Sequence, residues 1–200
     1  MRTKLILASG SPRRKEILEG IGVNFRVLVA GTDESCTIPE PAAYAEELAR
    51  RKGQAIWSMV KQRLKEGIDD TDAVILSADT VVATDHEILG KPRDREDAIR
   101  MIRSLSGDTH VVVTGIGLTV GGVTYTAHCD TVVSVSEIPE EEILRYVDSG
   151  EPMDKAGGYG IQGSFSRWIE GINGCYFNVV GLPVHTLNRL FFECTGEYLG

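Results

Sequence analysis

The sequence predicts an α/β fold built round a mixed sheet. Three observations lead there. Apolar runs of strand length alternate with stretches of helical periodicity. Two of the runs flank Gly121-Gly122 as the arms of a hairpin would. The chain has 200 residues, 42% of them hydrophobic, which is enough for one domain with a substantial core. Interleaving calls for crossover helices beside parallel strands, and hairpins add antiparallel pairs, so the sheet should be mixed.

The elements follow in order. Lys4–Ala8 (KLILA) reads as a buried strand. Ser11 is a good N-cap and Pro12 suits the first helical position, so a helix follows with Ile17, Leu18 and Ile21 on one face, ending near Gly20 and Gly22. Phe25–Ala30 reads as a second strand, and residues 31–41 as a polar loop containing Asp33 and Glu34. A long helix runs from Pro41 to about Lys65, with Tyr44, Leu48, Ala55, Ile56, Met59 and Val60 as its inner stripe. Ala73–Ala83 is a strand that Asp85-His86 turns into a hairpin. After Gly90-Lys91-Pro92 comes a helix over Arg95–Leu105, then paired strands over Thr109–Val120 and Val123–Val135. Pro139–Val147 is helical, Gly150–Gly163 a glycine-rich loop, Cys175–Val180 a strand, and a last helix follows Pro183. No repeat or low-complexity segment interrupts this order.

Charge and cysteine usage exclude several classes. A net charge of −8 argues against a nucleic-acid binder, which needs a basic face. The first thirty residues nevertheless carry six Arg or Lys against two Glu, a basic site inside an acidic protein. No run approaches the roughly 18 apolar residues of a membrane span. Met1-Arg2-Thr3-Lys4 leads into only a short apolar stretch, unlike a secretory signal. Cys36, Cys129, Cys175 and Cys194 form no C-x-x-C pair. A cytoplasmic protein with reduced thiols, no membrane contact and no nucleic-acid partner is expected. His86, His110, His128 and His185 lack metal-ligand spacing and read as surface or satisfied core residues.

The first helix inverts a rule that the others obey. Glu140, Glu141 and Glu142 open one helix, and Asp94, Glu96 and Asp97 another, as the helix dipole favours. The first helix opens instead on Arg13, Arg14 and Lys15. Each such cation costs a few tenths to about 1 kcal/mol, and a bound anion would reverse the sign. Free N–H groups at the helix start, guanidinium forks, and the close approach allowed by Ser9-Gly10-Ser11 all suit a phosphate. A solvated basic turn accounts for the same string.

Other residues stand out against their pattern. Lys52 lies in line with the buried stripe of the long helix, either as a snorkelling stem or as a cation aimed into a cleft. Asp79 sits inside an apolar strand, so it must be hydrogen-bonded, ion-paired or metal-bound, or else cap a bulge. Lys91 occupies a tight turn. "DKAGGYGIQG" places Asp154, Lys155 and Gln162 among glycines and contains a formal G-x-G-x-x-G. No strand-turn-helix frame surrounds it, and no acidic residue occurs between Glu170 and Glu193 to hold a ribose, so it is not a dinucleotide fingerprint. Walker A and G-x-S-x-G sequences are absent.

Seven strings in register, "LASGSPRR", "ELARRKGQA", "SADTVV", "LGKPRD", "SLSGDTHVVVTG", "DKAGGYGIQG" and "INGCYFNVVGLP", make the chain resemble the Maf family of nucleotide pyrophosphatases over nearly its full length. The resemblance implies a single domain over residues 1–200, an α/β fold with a mixed twisted sheet flanked by helices, and two lobes round a deep cleft, similar to inosine triphosphate pyrophosphatases. It also implies a homodimer that hydrolyses nucleoside triphosphates between the α and β phosphates with a divalent metal. Asp79 falls at the family's catalytic acid-base position, and Arg13, Thr80 and Gln162 where the family sets substrate preference. The "YGIQG" and "NGCYFNVVGLP" forms resemble the subgroup acting on dTTP and UTP. Gly53 departs from the usual Ala and costs the helix about 1 kcal/mol.

On that footing Arg13, Arg14, Lys52 and Lys91 form a phosphate clamp helped by Ser9 and Ser11. Asp79 activates the attacking water, and Glu34 is the second carboxylate for the metal, Mg²⁺ with Mn²⁺ or Co²⁺ as alternatives. Lys155 either joins the clamp or pairs with Asp154. Gln162 has both the donor and the acceptor that a pyrimidine requires. The competing reading is a non-enzymatic nucleotide-binding regulator of cell division and septum formation, which would have no use for a carboxylate inside the strand at Asp79.

Overall fold

A computed structural model of the protein describes residues 4–65 and 73–200. Met1, Arg2 and Thr3 of the basic N-terminal segment lie outside the described residues. The strands are β1 (Lys4–Leu7), β2 (Phe25–Val27), β3 (Ala73–Ala83), β4 (Ile88–Leu89), β5 (Thr109–Val120), β6 (Val123–Val135) and β7 (Ile169–Asn173). The helices are α1 (Pro12–Gly20), α2 (Pro41–Lys65), α3 (Arg95–Leu105), α4 (Glu140–Asp148), α5 (Tyr176–Val180) and α6 (Val184–Thr195). The sheet order is β2-β1-β3-β5-β6-β7, with β4 beside β3. β1 runs parallel to β2 and β3, whereas β3–β4 and β6–β7 are antiparallel, so the sheet is mixed as expected.

The chain divides into two compact units. The first comprises residues 1–79, 114–129 and 181–200, and the second residues 80–113 and 130–180. In the first unit, α2 buries Ala45, Leu48, Ala49, Ile56 and Val60. Its small residues meet glycines of β5. A Cβ on Gly115 would lie 2.3 Å from the Ala45 carbonyl carbon, and one on Gly117 would lie 2.8 Å from Ser77 Oγ. Gly53 belongs to the same seam, where a Cβ would sit 2.7 Å from Thr119 Oγ1. Its glycine gives up helix propensity so that backbone can lie close against side chains of the sheet. Met59 lies outside this stripe and is exposed, because the seam is set by Ala45, Ala49 and Gly53 rather than by the largest side chains. Ile21, expected on the inner face of α1, is exposed too, since the helix closes at Gly20 after burying only Ile17 and Leu18.

In the second unit, α3 and α4 pack their apolar faces (Ile99, Ile102 and Leu105; Ile143, Tyr146 and Val147) over Val112, Val133 and Val135. Asp94 caps α3 by accepting the Asp97 N–H at 2.8 Å. Asp97 is buried at the first turn and gathers Arg93 and Arg100 through bonds of 3.0 to 3.1 Å.

Two further expectations are corrected. β2 is three residues rather than a strand from Phe25 to Ala30, because its partner β1 has only four residues before the chain turns at Ser9. Cys175–Val180 is not a strand. It folds as α5 between Gly174 at φ 136° and Gly181 at φ 119°. Asn178 explains the choice: its side-chain amide is buried and donates to the Val112 carbonyl and to Thr131 Oγ1, each at 2.9 Å. The strand at this edge is β7, whose residues pair with Val132–Val135.

Candidate active site

α1 begins where β1 ends, and the turn between them is built from its own hydroxyls. Ser9 is buried, and its Oγ accepts the Ser11 N–H at 3.2 Å and Arg14 Nη1–H at 3.1 Å. Ser11 caps the helix, its Oγ accepting the Arg14 N–H at 3.5 Å. Arg14 folds back across this turn, and its Nε donates to the Gly181 carbonyl at 2.8 Å. Burial pulls the Arg14 guanidinium below its ordinary pKa. Asp79 opposes that shift, Arg13 reinforces it, and Glu34 opposes it. A desolvated guanidinium among these groups is a cation prepared for an anion. Arg13, half-buried, stands one residue before it.

Lys52 is drawn into two ion pairs. Its Nζ reaches Asp79 Oδ1 at 2.5 Å and Glu34 Oε1 at 2.8 Å. Asp79 and Lys52 are 13% and 16% exposed and Glu34 is 54% exposed, so the first pair is shielded and the second is largely in water. The Glu34 loop is ordered by side chains. Asp33 accepts the Ser35 N–H at 2.9 Å and its hydroxyl at 2.7 Å, and Arg51 donates to the Ser35 carbonyl at 2.6 Å. Glu40 then caps α2 by accepting the Ala42 and Ala43 N–H groups, which holds its own carboxyl below the ordinary range.

Ser9, Ser11 and Arg14 are thus joined in one hydrogen-bonded turn, and Glu34, Lys52 and Asp79 in one charged cluster. Both lie in the first unit. Asp79 and Glu34 are close enough to bias Arg14, which links the two groups electrostatically. Tyr44 belongs here as well. Its phenol is half-buried, and burial followed by Cys36, Asp79 and Glu34 raises its pKa. Helical periodicity marked Tyr44 only as a core residue; its place eight residues before Lys52 on the same helix was the available signal.

Two carboxylates converging on one positive charge are also a donor set suited to a hard divalent cation. Among the described residues no three His, Cys, Asp or Glu side chains are grouped to hold a metal by themselves. Any such ion would therefore need oxygens from its substrate and from water.

Thr80, Lys91 and Gln162 belong to the second unit. Lys91 is exposed on a turn tied to the glycine-rich loop by the Gly157 N–H, which donates to the Gly90 carbonyl at 2.9 Å. Gln162 is exposed and Thr80 half-buried. Lys155 is engaged internally, donating to the Glu151 carbonyl at 2.6 Å and to Asp154 Oδ1 at 2.7 Å. The glycines of this loop serve packing rather than a dinucleotide. A Cβ at Gly157 would lie 2.7 Å from Val82 Cγ2, and one at Gly163 would lie 1.9 Å from Glu151 Oε1. His110 is a buried core histidine bonded to Tyr159, and His128 pairs with Glu46.

The profile of a family described as Maf-like protein matches residues 4–194. A protein of Agathobacter rectalis named dTTP/UTP pyrophosphatase is 49% identical over 194 residues, covering 92% of this chain and 94% of its own. One of the same name from Koribacter versatilis is 48% identical over 187 residues, covering 93% and 92%. Among solved structures, a nucleoside-triphosphatase, dITP/XTP pyrophosphatase, from Mycobacterium abscessus superposes with a TM-score of 0.44 at 14% identity, covering 96% of this chain and 95% of that one.

Proposed function

This chain belongs to the Maf family, and from that premise we propose that it hydrolyses nucleoside triphosphates, dTTP and UTP foremost, to the monophosphate and pyrophosphate. The relatives' shared name supports the substrate class. One observation carries the chemistry: a strand carboxylate, Asp79, shielded from water and held 2.5 Å from a lysine ammonium, beside a turn that presents a desolvated arginine.

In the reaction we assign, a water oxygen bonds to the α-phosphorus while the bond from that phosphorus to the bridging oxygen breaks. The water proton passes to Asp79, and the bridging oxygen leaves with the pyrophosphate. Charge grows on the leaving group, so fixed cations near it lower the barrier. Arg13, Arg14 and Lys52 supply them, with Ser9 and Ser11 donating hydrogen bonds and Lys91 assigned to the same clamp. Lys52 also orients Asp79, since its Nζ grips one oxygen and leaves the other for the water. Asp79 and Glu34 would hold a divalent cation, Mg²⁺ or alternatively Mn²⁺ or Co²⁺, which when bound neutralises phosphate charge and helps ionise water. Thr80 and Gln162 are assigned to recognition of the nucleoside. A cytoplasmic homodimer is the form we propose on the family resemblance, and the net charge of −8 supports a protein without nucleic-acid partners.

Asp79→Asn tests the assignment. With Mg²⁺ present, pyrophosphate release from dTTP and UTP should fall by at least about a hundredfold. Activity within about threefold of wild type, worth less than 1 kcal/mol in the barrier, would remove Asp79 from the chemistry.

A further inference from the structure

Gln162 stands at the crown of a turn that has no reason of its own to hold one shape. Residues 160–163 close it through the Gly163 N–H, which donates to the Gly160 carbonyl at 3.0 Å, and Gln162 itself is exposed. Both flanks are nevertheless fastened to the core of the second unit. On the leading side, Tyr159 is buried and its Oη lies 2.6 Å from His110 Nε2. The two rings meet edge-on at 5.3 Å, and Tyr159 lies 4.7 Å from the ring of Phe165. On the trailing side, Glu151 accepts the Ser164 N–H at 3.1 Å and the Ser164 hydroxyl at 2.6 Å. Gly163 makes room for that carboxylate by having no side chain. Tyr146 bridges the two flanks, its hydroxyl lying 3.1 Å from the Gly158 carbonyl and 3.4 Å from Glu151 Oε1, so that its one proton is shared between them.

His110 is spent on this one task. Its Nδ1 is buried with no hydrogen-bond partner among the described residues, so the bond to Tyr159 is the imidazole's single polar tie. An apolar residue would fill the space without leaving a polar atom unpaired. Burial also holds the imidazole neutral, its pKa pushed down to about 4, so the bond to Tyr159 keeps its character across the neutral range.

We propose that the His110–Tyr159 hydrogen bond and the Glu151 carboxylate are positioning elements that present Gln162 to the nucleobase, and so govern which bases the enzyme accepts. The proposal rests on the assignment of Gln162 to base recognition made under Proposed function. A side-chain amide discriminates bases only if its donor and acceptor are held in place. A looser turn would let it satisfy several edges, which costs selectivity before it costs turnover.

Tyr159→Phe removes one hydroxyl and keeps the ring packing. The experiment compares kcat/KM for dTTP, UTP, dCTP and dATP in wild type, Tyr159→Phe, Glu151→Gln and Gln162→Ala, with thermal unfolding of each. Tyr159→Phe and Gln162→Ala should each shrink the preference for dTTP over dATP by at least about tenfold, through KM more than kcat. A structural role alone would lower all four substrates together and preserve the ratios, and that result overturns the proposal. Ratios unchanged in Tyr159→Phe but collapsed in Gln162→Ala overturn the positioning role and leave Gln162 in base recognition. Ratios unchanged in Gln162→Ala overturn both. If Tyr159→Phe does not fold, the same outcomes are read from Glu151→Gln.

Discussion

Replacing Gly53 with Ala sets two effects of known size against each other. Taken as an isolated helix position, the change should stabilise α2 by about 1 kcal/mol. In the folded protein the new Cβ would stand 2.7 Å from Thr119 Oγ1 and 3.0 Å from Ser77 Oγ, closer than carbon and oxygen tolerate. Neither hydroxyl is free to swing away. Thr119 is bonded to Thr124 at 2.8 Å, and Ser77 donates to the Gly117 carbonyl at 3.3 Å. Thr124 is held in turn by Gln54 at 2.7 Å. The helix must therefore move off the strand by a few tenths of an ångström, and overpacking of this kind costs typically 1–3 kcal/mol. The clash wins by about 1 kcal/mol, which for a chain of this size lowers Tm by about 2–4 °C. Lys52 is the adjacent residue, so the same displacement should lower kcat for dTTP. Scanning calorimetry and steady-state kinetics on Gly53→Ala, alone and with Thr119→Ala, supply the readings. Removing the Thr119 hydroxyl should recover part of the lost stability, a coupling of about 1 kcal/mol. A Tm for Gly53→Ala above wild type would refute the close-packed seam.

Other consequences are equally measurable. Lys52→Met should cut turnover by about a hundredfold or more and lower Tm, because it leaves Asp79 shielded without its nearest cation; unchanged stability would show the pair to be idle. The Arg93 and Arg100 bonds to Asp97 hold its carboxyl well below 3.8, at about 2, with the Arg93 side chain the largest cause. A depressed acid of this kind contributes its stability in full above about 3.8 and loses it as the pH falls towards 2, about 2 kcal/mol in all. Urea titrations should accordingly show Asp97→Asn to be less stable than wild type at pH 6, with the gap closing near pH 2. The four cysteines are free thiols, so dithiothreitol should leave Tm unchanged.

Much of this architecture was legible before any coordinates. Pro41 and Asp94 announce the starts of α2 and α3, and the long apolar runs of β3, β5 and β6 announce themselves, because their signals are local. Lys52 and Asp79 could be picked out because each carries the wrong chemistry for its place in a periodic pattern. The failures share a cause. α5 looked like a strand because what decides its conformation is the Asn178 amide bonding to Val112 and Thr131, dozens of residues away. The fit of Gly115 and Gly117 against α2, and of Gly163 against Glu151, joins residues distant in the chain and leaves no periodic trace. Lys155 stood undecided between substrate and Asp154 for the same reason, since charge alone does not say which neighbour arrives first.

The bond from Arg14 to the Gly181 carbonyl has a bearing on how the protein is made. A ribosome delivers Gly181 167 residues after Arg14, so a nascent chain holds that guanidinium without the acceptor that later fixes it. The turn that carries Arg14 should therefore take its final shape only once the segment holding Gly181 has emerged. Messages truncated before that point would yield chains whose Arg14 lacks this anchor.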